Sequence, residues 1–264
     1  MKVMSYNTLF GGFDGNDGRR FDAQLELINE VQPDILLAQE LKGFSENGMK
    51  RLFKMEEIIN MRGFIAPALH TGQNTGVFIR TGFKPISVEI DSEHFHHAVV
   101  IAALQIPGYT NPLTVISAHL CPFGPHVRMR EACYLTNHAD DNAFTLVAGD
   151  FNSVSPRDPE PVGLQELPAR FRARYTMPEC VQADRTVLSA FYHAGFVDIA
   201  HKFGDNMPTV PATSFIGTEF VPFRSDYILA TKALAARATS YSVIKNTITD
   251  MASDHYPVIA EFQL

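Results

Sequence analysis

Two apolar runs in this chain, Ile35-Leu36-Leu37-Ala38 and Leu146-Val147-Ala148, give way to carboxylates, Glu40 in one case and Asp150 in the other. A run that is apolar at every position reads as a strand buried on both faces, which calls for a sheet covered by other layers. The plan recurs. Short strand-like segments end in a polar group at Tyr6-Asn7 and Ala118-His119, and Ser253-Asp254-His255 opens the last of them. A single acid at a strand end is an ordinary turn or cap residue, because Asp and Asn bond their own backbone there. Five such places in one chain call for a stronger explanation: polar groups held in fixed geometry at the ends of buried strands.

The rest of the sequence supplies the covering layers. Arg20 to Val31 carries Phe21, Leu25, Ile28 and Val31 at helical spacing and is stopped by Pro33. Gly48 to Gly63 is a second helical stretch. Val127 to Asn142 reads as the clearest helix, with Met129, Ala132, Cys133, Leu135 and Ala139 along one face. Residues 76–80, 86–90, 98–106, 113–119, 145–150, 226–230, 240–244 and 256–262 are short, apolar or β-branched, and turn-bounded, as strands are. A helix is expected from Arg185 to Ala194, ended by Gly195, inside a longer Pro- and Arg-containing stretch at about 153–211. That stretch is the candidate substrate-shaping insertion. With no repeat, low-complexity segment or linker, residues 1–264 read as one α/β domain.

Composition narrows the function. The formal charge is −7, from 22 basic and 29 acidic residues, so no global positive field draws the chain to a polyanion, although a local basic patch is compatible with it. Cys121, Cys133 and Cys180 have neither zinc-type spacing nor an even count, and read as reduced thiols. Met1 leads straight into a strand-like segment without a signal-peptide pattern, and no apolar run is long enough to span a bilayer; the expectation is a cytoplasmic protein. The oxygen donors Asn7, Glu40, Asp150 and Asp254 suit Mg2+ or Mn2+, whereas zinc more often recruits Cys and several His. Metal-assisted attack on a phosphate ester follows as the chemistry.

Six segments, Ser5-Tyr6-Asn7, Leu37-Ala38-Gln39-Glu40, Ser117-Ala118-His119-Leu120, Gly149-Asp150-Phe151-Asn152, Arg224-Ser225-Asp226-Tyr227-Ile228-Leu229 and Ser253-Asp254-His255-Tyr256-Pro257-Val258, resemble the endonuclease/exonuclease/phosphatase family of metal-dependent phosphoesterases, in family order and along nearly the whole chain. The resemblance implies a four-layer α/β sandwich, two mixed β-sheets packed face to face with helices outside. It implies that Glu40 is the principal metal-binding carboxylate, with Asn7 and Asp254 as direct or water-mediated ligands. It further implies that Asp150 and Asn152 orient the nucleophilic water and contact the phosphate, that His255 is the catalytic imidazole with Asp226 as its carboxylate partner, and that His119 contacts phosphate. A histidine at position 119 leans away from abasic-site repair.

Other basic residues admit plainer readings. His94, His96 and His97 do not form a complete ligand set, since consecutive strand residues point to opposite faces, and a loop or rim role is expected. Arg128 and Arg130, with Arg170, Arg172 and Arg174, read either as solvated charges or as an arginine-lined groove backed by Phe171 and Tyr175. Nuclease action on DNA or RNA is the leading substrate class. The alternatives are a phosphatase or phosphodiesterase acting on a small molecule, nucleotide or lipid head group, and a catalytically silent binding module. No obligate protein partner is implied.

Overall fold

The computed structural model describes residues 1–264. In chain order the elements are β1 (Lys2–Asn7), α1 (Arg19–Val31), β2 (Ile35–Gln39), α2 (Lys50–Ile59), β3 (Arg62–Ala66), β4 (Thr75–Ile79), β5 (Lys84–Asp91), β6 (Val99–Gln105), β7 (Leu113–His119) and α3 (Pro125–Thr136). They continue with β8 (Phe144–Asp150), α4 (Ala169–Arg172), α5 (Thr186–Ala194), β9 (Val197–Asp198), α6 (Ile199–Lys202), β10 (Asp226–Ala230), α7 (Lys232–Ala235), β11 (Ala238–Val243), α8 (Thr249–Ala252) and β12 (Val258–Phe262). The strands form two six-stranded sheets, in the orders β11-β12-β1-β2-β4-β3 and β5-β6-β7-β8-β10-β9. Each sheet is mixed through one parallel pair, β1 with β2 and β7 with β8, and α1 and α3 make those crossovers. The four-layer α/β sandwich implied by the six segments is the observed architecture.

Strand parity explains why the site forms where it does. Along β1, Val3 joins the core between the sheets while Met4 and Tyr6 pack outward against α1 and α2. Ser5 and Asn7 therefore share the inner face with Val3. The same count runs Leu113 and Val115 up to Ser117 and His119 in β7, and Leu146 and Ala148 up to Asp150 in β8. In β10, which runs antiparallel to β8, Ile228 and Ala230 are inner and Asp226 falls opposite Asp150. Apolar side chains thus fill the sandwich, and polar ones line the same face at one end. Just below them Gln39 donates from Nε2 to Ser117 Oγ (3.2 Å), so a buried polar contact ties the sheets together beneath the site.

Several elements differ from the sequence reading. α2 stops at Ile59 because Asn60 takes a left-handed conformation (φ 51°) and donates back to Glu56 O, and Arg62–Ala66 then forms the unexpected strand β3. α3 ends at Thr136 rather than Asn142; the polar residues after it form turns, with Asn142 N–H donating to Asp140 Oδ1. Its buried face carries Arg128 and Glu131 beside Ala132 and Leu135, while Cys133 is exposed. Glu131 is inward because its carboxylate accepts from the backbone N–H groups of His96 (2.7 Å) and Cys121 (2.8 Å). Within 153–211, α5 packs on the outer face of the second sheet and β9 extends that sheet. The flanking segments pack a satellite cluster of Val154, Leu164, Tyr175, Ala183, Val210, Phe220 and Phe223. No helix is long and apolar enough to cross a membrane.

Candidate active site

Glu40, His119, Asp150, Asn152, Asp254 and His255 border one cleft of about 560 Å3 at the polar end of the sandwich. Asp226 and Asn7 lie buried behind it. A larger groove of about 850 Å3 beside α2 and β3 holds no histidine and one carboxylate, Glu56, so it lacks the cluster of acids and imidazoles that the smaller cleft brings together.

Local backbone geometry presents these groups. Glu40 and Asn152 both sit at positive φ (58° and 48°), which turns the chain sharply at the ends of β2 and β8. Between β8 and β7 the backbones nearly touch: a Cβ at Gly149 (φ 151°) would lie 1.7 Å from Ala118 O, so only glycine fits before Asp150. Ser253 Oγ donates to Asn7 O (2.7 Å), pinning the Asp254-His255 segment to the end of β1. Thr209 Oγ1 accepts the N–H groups of both Ser225 and Asp226 (2.9 and 3.1 Å), fixing the start of β10. One residue before these, Arg224 makes paired bonds to Asp158 and Asp198 at 2.6 to 3.0 Å.

Asp150 is the hub. Its Oδ1 accepts from Ser225 Oγ (2.6 Å) and Asn152 N–H (2.9 Å). Its Oδ2 faces Asn7 Nδ2 (3.1 Å), Asn152 Nδ2 (3.3 Å), His119 Nε2 (3.4 Å) and His255 Nε2 (3.6 Å). Burial alone would raise its pKa, but His255, His119 and these hydrogen bonds outweigh it and hold the carboxyl below its usual range. His255 is the converse case. Burial opposes its charge, yet Asp226, Asp150 and Asp254 together hold the imidazole well above its ordinary value, with Nδ1 bonded to Asp226 Oδ2 at 2.9 Å. His119 is pushed down to about 4, by burial first and by neighbouring imidazoles against the pull of Asp150, and so is neutral at pH 7.

Glu40 and Asp254 stand apart from this neutralised group. Neither has a Lys, Arg or His within ion-pair distance, and burial raises both, Glu40 to about 7 with Asp254 adding to the rise. A half-buried carboxylate, Glu40, and a buried one, Asp254, neither paired with a basic side chain, are together on one cleft the donor set a hard cation fits. Asp150, Asp226 and His255 also cluster tightly, but there the imidazole already bridges the two acids and supplies the balancing charge. Asn7 Oδ1 accepts from Leu9 N–H (3.1 Å), and its NH2 faces Glu40 (3.3 Å) and Asp150 (3.1 Å).

The remaining basic residues divide. Arg128 is no groove residue: it is buried, donating to Cys121 O (3.0 Å) and Arg174 O (2.5 Å). Residues 169–172 are helical, so Arg170, Arg172 and Arg174 do not line a strand face, and of the five arginines only Arg174 borders the cleft. His96 and His97 border it too, and the His97 ring stacks on His119 at 4.0 Å. Ser225, Thr209 and Ser253 were not singled out from the sequence, although Ser225 and Ser253 lie inside the quoted segments.

Residues 4–255 match the Endonuclease/Exonuclease/phosphatase family. No curated protein matches the sequence. Among solved structures the chain is similar to an AP endonuclease from Archaeoglobus fulgidus, with TM-score 0.70, 21% identity, and 100% of both chains covered. It is similar to a mannosyl-6-phosphatase from Bacteroides thetaiotaomicron, with TM-score 0.71, 16% identity, and 100% of both chains covered. It is also similar to D. rerio TDP2 complexed with single-strand DNA product, with TM-score 0.67, 18% identity, 100% of this chain and 99% of that one. At these identities the likeness is one of fold.

Proposed function

Because this chain belongs to the Endonuclease/Exonuclease/phosphatase family, whose members are phosphoesterase hydrolases, we propose that it hydrolyses a phosphate ester with the help of a divalent cation, Mg2+ or Mn2+. The observation that carries this reading is the meeting of Glu40, His119, Asp150, Asp254 and His255, from four separate segments, on one cleft. Glu40 and Asp254 would hold the cation, which when bound neutralises a non-bridging phosphoryl oxygen. Asn7 bridges Glu40 to Asp150 through its amide and keeps both carboxylates aimed.

The chain's own groups supply the rest. Asp150, kept anionic, receives a hydrogen bond from the attacking water and takes its proton. His255 is held protonated by Asp226 and donates from Nε2 to the phosphoryl oxygens as charge accumulates. Neutral His119 adds a further N–H. Asn152 spends its amide hydrogens on Leu120 O (3.0 Å) and Asp150, and so acts by holding Asp150 in place.

The charge around the cleft supports a small or terminal phosphate ester best. Four carboxylates, Glu40, Asp150, Glu219 and Asp254, border it against one guanidinium, Arg174, and the protonated His255 imidazole. A nucleic-acid groove needs a track of cations along the backbone. One observation favours the nuclease reading: Phe10 and Phe123 border the cleft and are 41% and 65% exposed, as rings that stack bases are. The test is a substrate panel with Mg2+ and with Mn2+, covering p-nitrophenyl esters, sugar phosphates, nucleotides, phospholipids, RNA, and single-stranded and duplex DNA. Hydrolysis should be abolished by EDTA and reduced about 100-fold or more in Glu40→Ala. Activity on no member, or activity indifferent to EDTA, would overturn the proposal.

A further inference from the structure

Arg174 is the one Lys or Arg side chain bordering the cleft, and it is engaged by Glu219 from the opposite segment, Nη1 to Oε2 at 2.6 Å. That bond, the one side-chain hydrogen bond Arg174 makes, uses one donor of a fork built to make two parallel ones. Partly exposed ion pairs of this kind contribute little to folding, so stability does not account for the pairing.

The backbone of Arg174 is held far more firmly than its side chain. Buried Arg128 donates from Nη2 to Arg174 O and from Nη1 to Cys121 O, two residues past His119. One guanidinium thus rivets the wall that carries Arg174 to the wall that carries the phosphate-facing histidine. Phe171 lies beneath the Arg174 guanidinium, 4.9 Å from ring centroid to Cζ, and supports its plane. A cation fixed at its root and paired to a carboxylate through only one arm of its fork can exchange that carboxylate for an anion that engages both arms.

Resting on the phosphoesterase reading, we propose that Arg174 is a specificity-determining residue that binds the second negative charge of a phosphomonoester, and that Glu219 is the counterion it releases as substrate enters. Glu219 neutralises Arg174 in the free protein. A dianionic phosphoryl group, matched to both arms of the fork, displaces it; a diester, with one charge, competes less well.

The experiment is a double-variant cycle with Arg174→Met, Glu219→Gln and the pair, read as kcat/KM on p-nitrophenyl phosphate and on bis-p-nitrophenyl phosphate with Mg2+. Arg174→Met should lower the monoester value about 10-fold or more relative to the diester value. Glu219→Gln should raise the monoester value, and that gain should vanish when Arg174 is also replaced. Equal losses on both esters, or a gain that survives in the double variant, would overturn the proposal. Arg174→Lys, which keeps the charge without the fork, should fall between wild type and Arg174→Met. Calorimetric binding of inorganic phosphate in Mg2+ gives a second readout. If neither of these two esters is hydrolysed, the phosphoesterase reading is decided by the wider substrate panel, while phosphate affinity weakened in Arg174→Met and strengthened in Glu219→Gln still supports the exchange; affinity unchanged in both refutes it.

Discussion

Four nitrogens surround one oxygen, Asp150 Oδ2, and that crowding decides how single substitutions should behave. His255 is charged only because Asp226, Asp150 and Asp254 surround it. On the proposed mechanism, replacing His255 by Ala removes a donor to the transition state, and kcat should fall about 100-fold or more with little change in KM. Asp226→Asn keeps the shape but leaves Nδ1 without a carboxylate, so the loss should be smaller and accompanied by a lower imidazole pKa. An imidazole signal titrating unchanged in Asp226→Asn would refute the pairing. Gly149 is a structural counterpart. An alanine there puts Cβ 1.7 Å from Ala118 O at φ 151°, so Gly149→Ala should cost at least about 3 kcal/mol, read by urea unfolding or as loss of soluble protein.

At the scale of elements, the start of β10 is held by Arg224, a buried guanidinium forked onto Asp158 and Asp198. Arg224→Met leaves two buried carboxylates unpaired and should destabilise the fold by about 3–5 kcal/mol, with activity falling through displacement of Asp226; a loss of under about 1 kcal/mol in urea unfolding would refute it. The β6–β7 face gives a pH prediction. His97 is 4% exposed and accepts or donates one bond, to Thr71 Oγ1; burial first, then His119 and His96, push its pKa well below the ordinary value. Below pH about 6.5 the unfolded chain therefore binds a proton that the folded chain refuses, so stability is lost as pH falls and is level above that point. Between pH 7 and 5 the wild type should lose about 2 kcal/mol more than His97→Phe. Parallel curves would show that His97 titrates normally.

Much of this was legible because strand periodicity is local. Apolar runs ending at Glu40 and Asp150 place two acids at strand ends without knowledge of the partner strands, and those ends lie on the cleft. Arg128 was not legible, since a helix face is read by hydrophobicity and nothing in sequence announces that Cys121 O and Arg174 O would satisfy a buried guanidinium. β3 was hidden for a related reason: at the sheet edge its residues are half-exposed, and the left-handed turn at Asn60 that ends α2 is a backbone event. Arg174 and Glu219 are brought together across 45 residues by the satellite cluster, which no local pattern encodes.

For the whole molecule, which strands pair, and in what order, depends on contacts as distant as β1 with β12, so the sandwich was reached through the resemblance of six segments rather than through strand counting. The same scale carries the charge. The chain bears −7 overall, and its cleft presents four carboxylates to one guanidinium. With His255 protonated and a cation held by Glu40 and Asp254 the cleft carboxylates are largely offset, so what opposes an anionic substrate is the chain's overall −7, and salt weakens that opposition as the screening length shrinks from about 30 Å at 0.01 M to about 8 Å at 0.15 M. For a small phosphate ester, kcat/KM should therefore stay level or rise a few-fold as KCl is added at fixed free Mg2+. A protein that grips a nucleic-acid backbone behaves in the opposite way, because each phosphate it neutralises releases counterions and affinity falls by about 0.7 log unit per contact per tenfold salt on single strands. Measuring both slopes in one salt titration, on p-nitrophenyl phosphate and on a single-stranded oligonucleotide, separates the two substrate classes. A log–log slope for the oligonucleotide steeper than about −2 would mean at least about three backbone phosphates held by cations outside the cleft, and the small-ester reading would give way to the nuclease one.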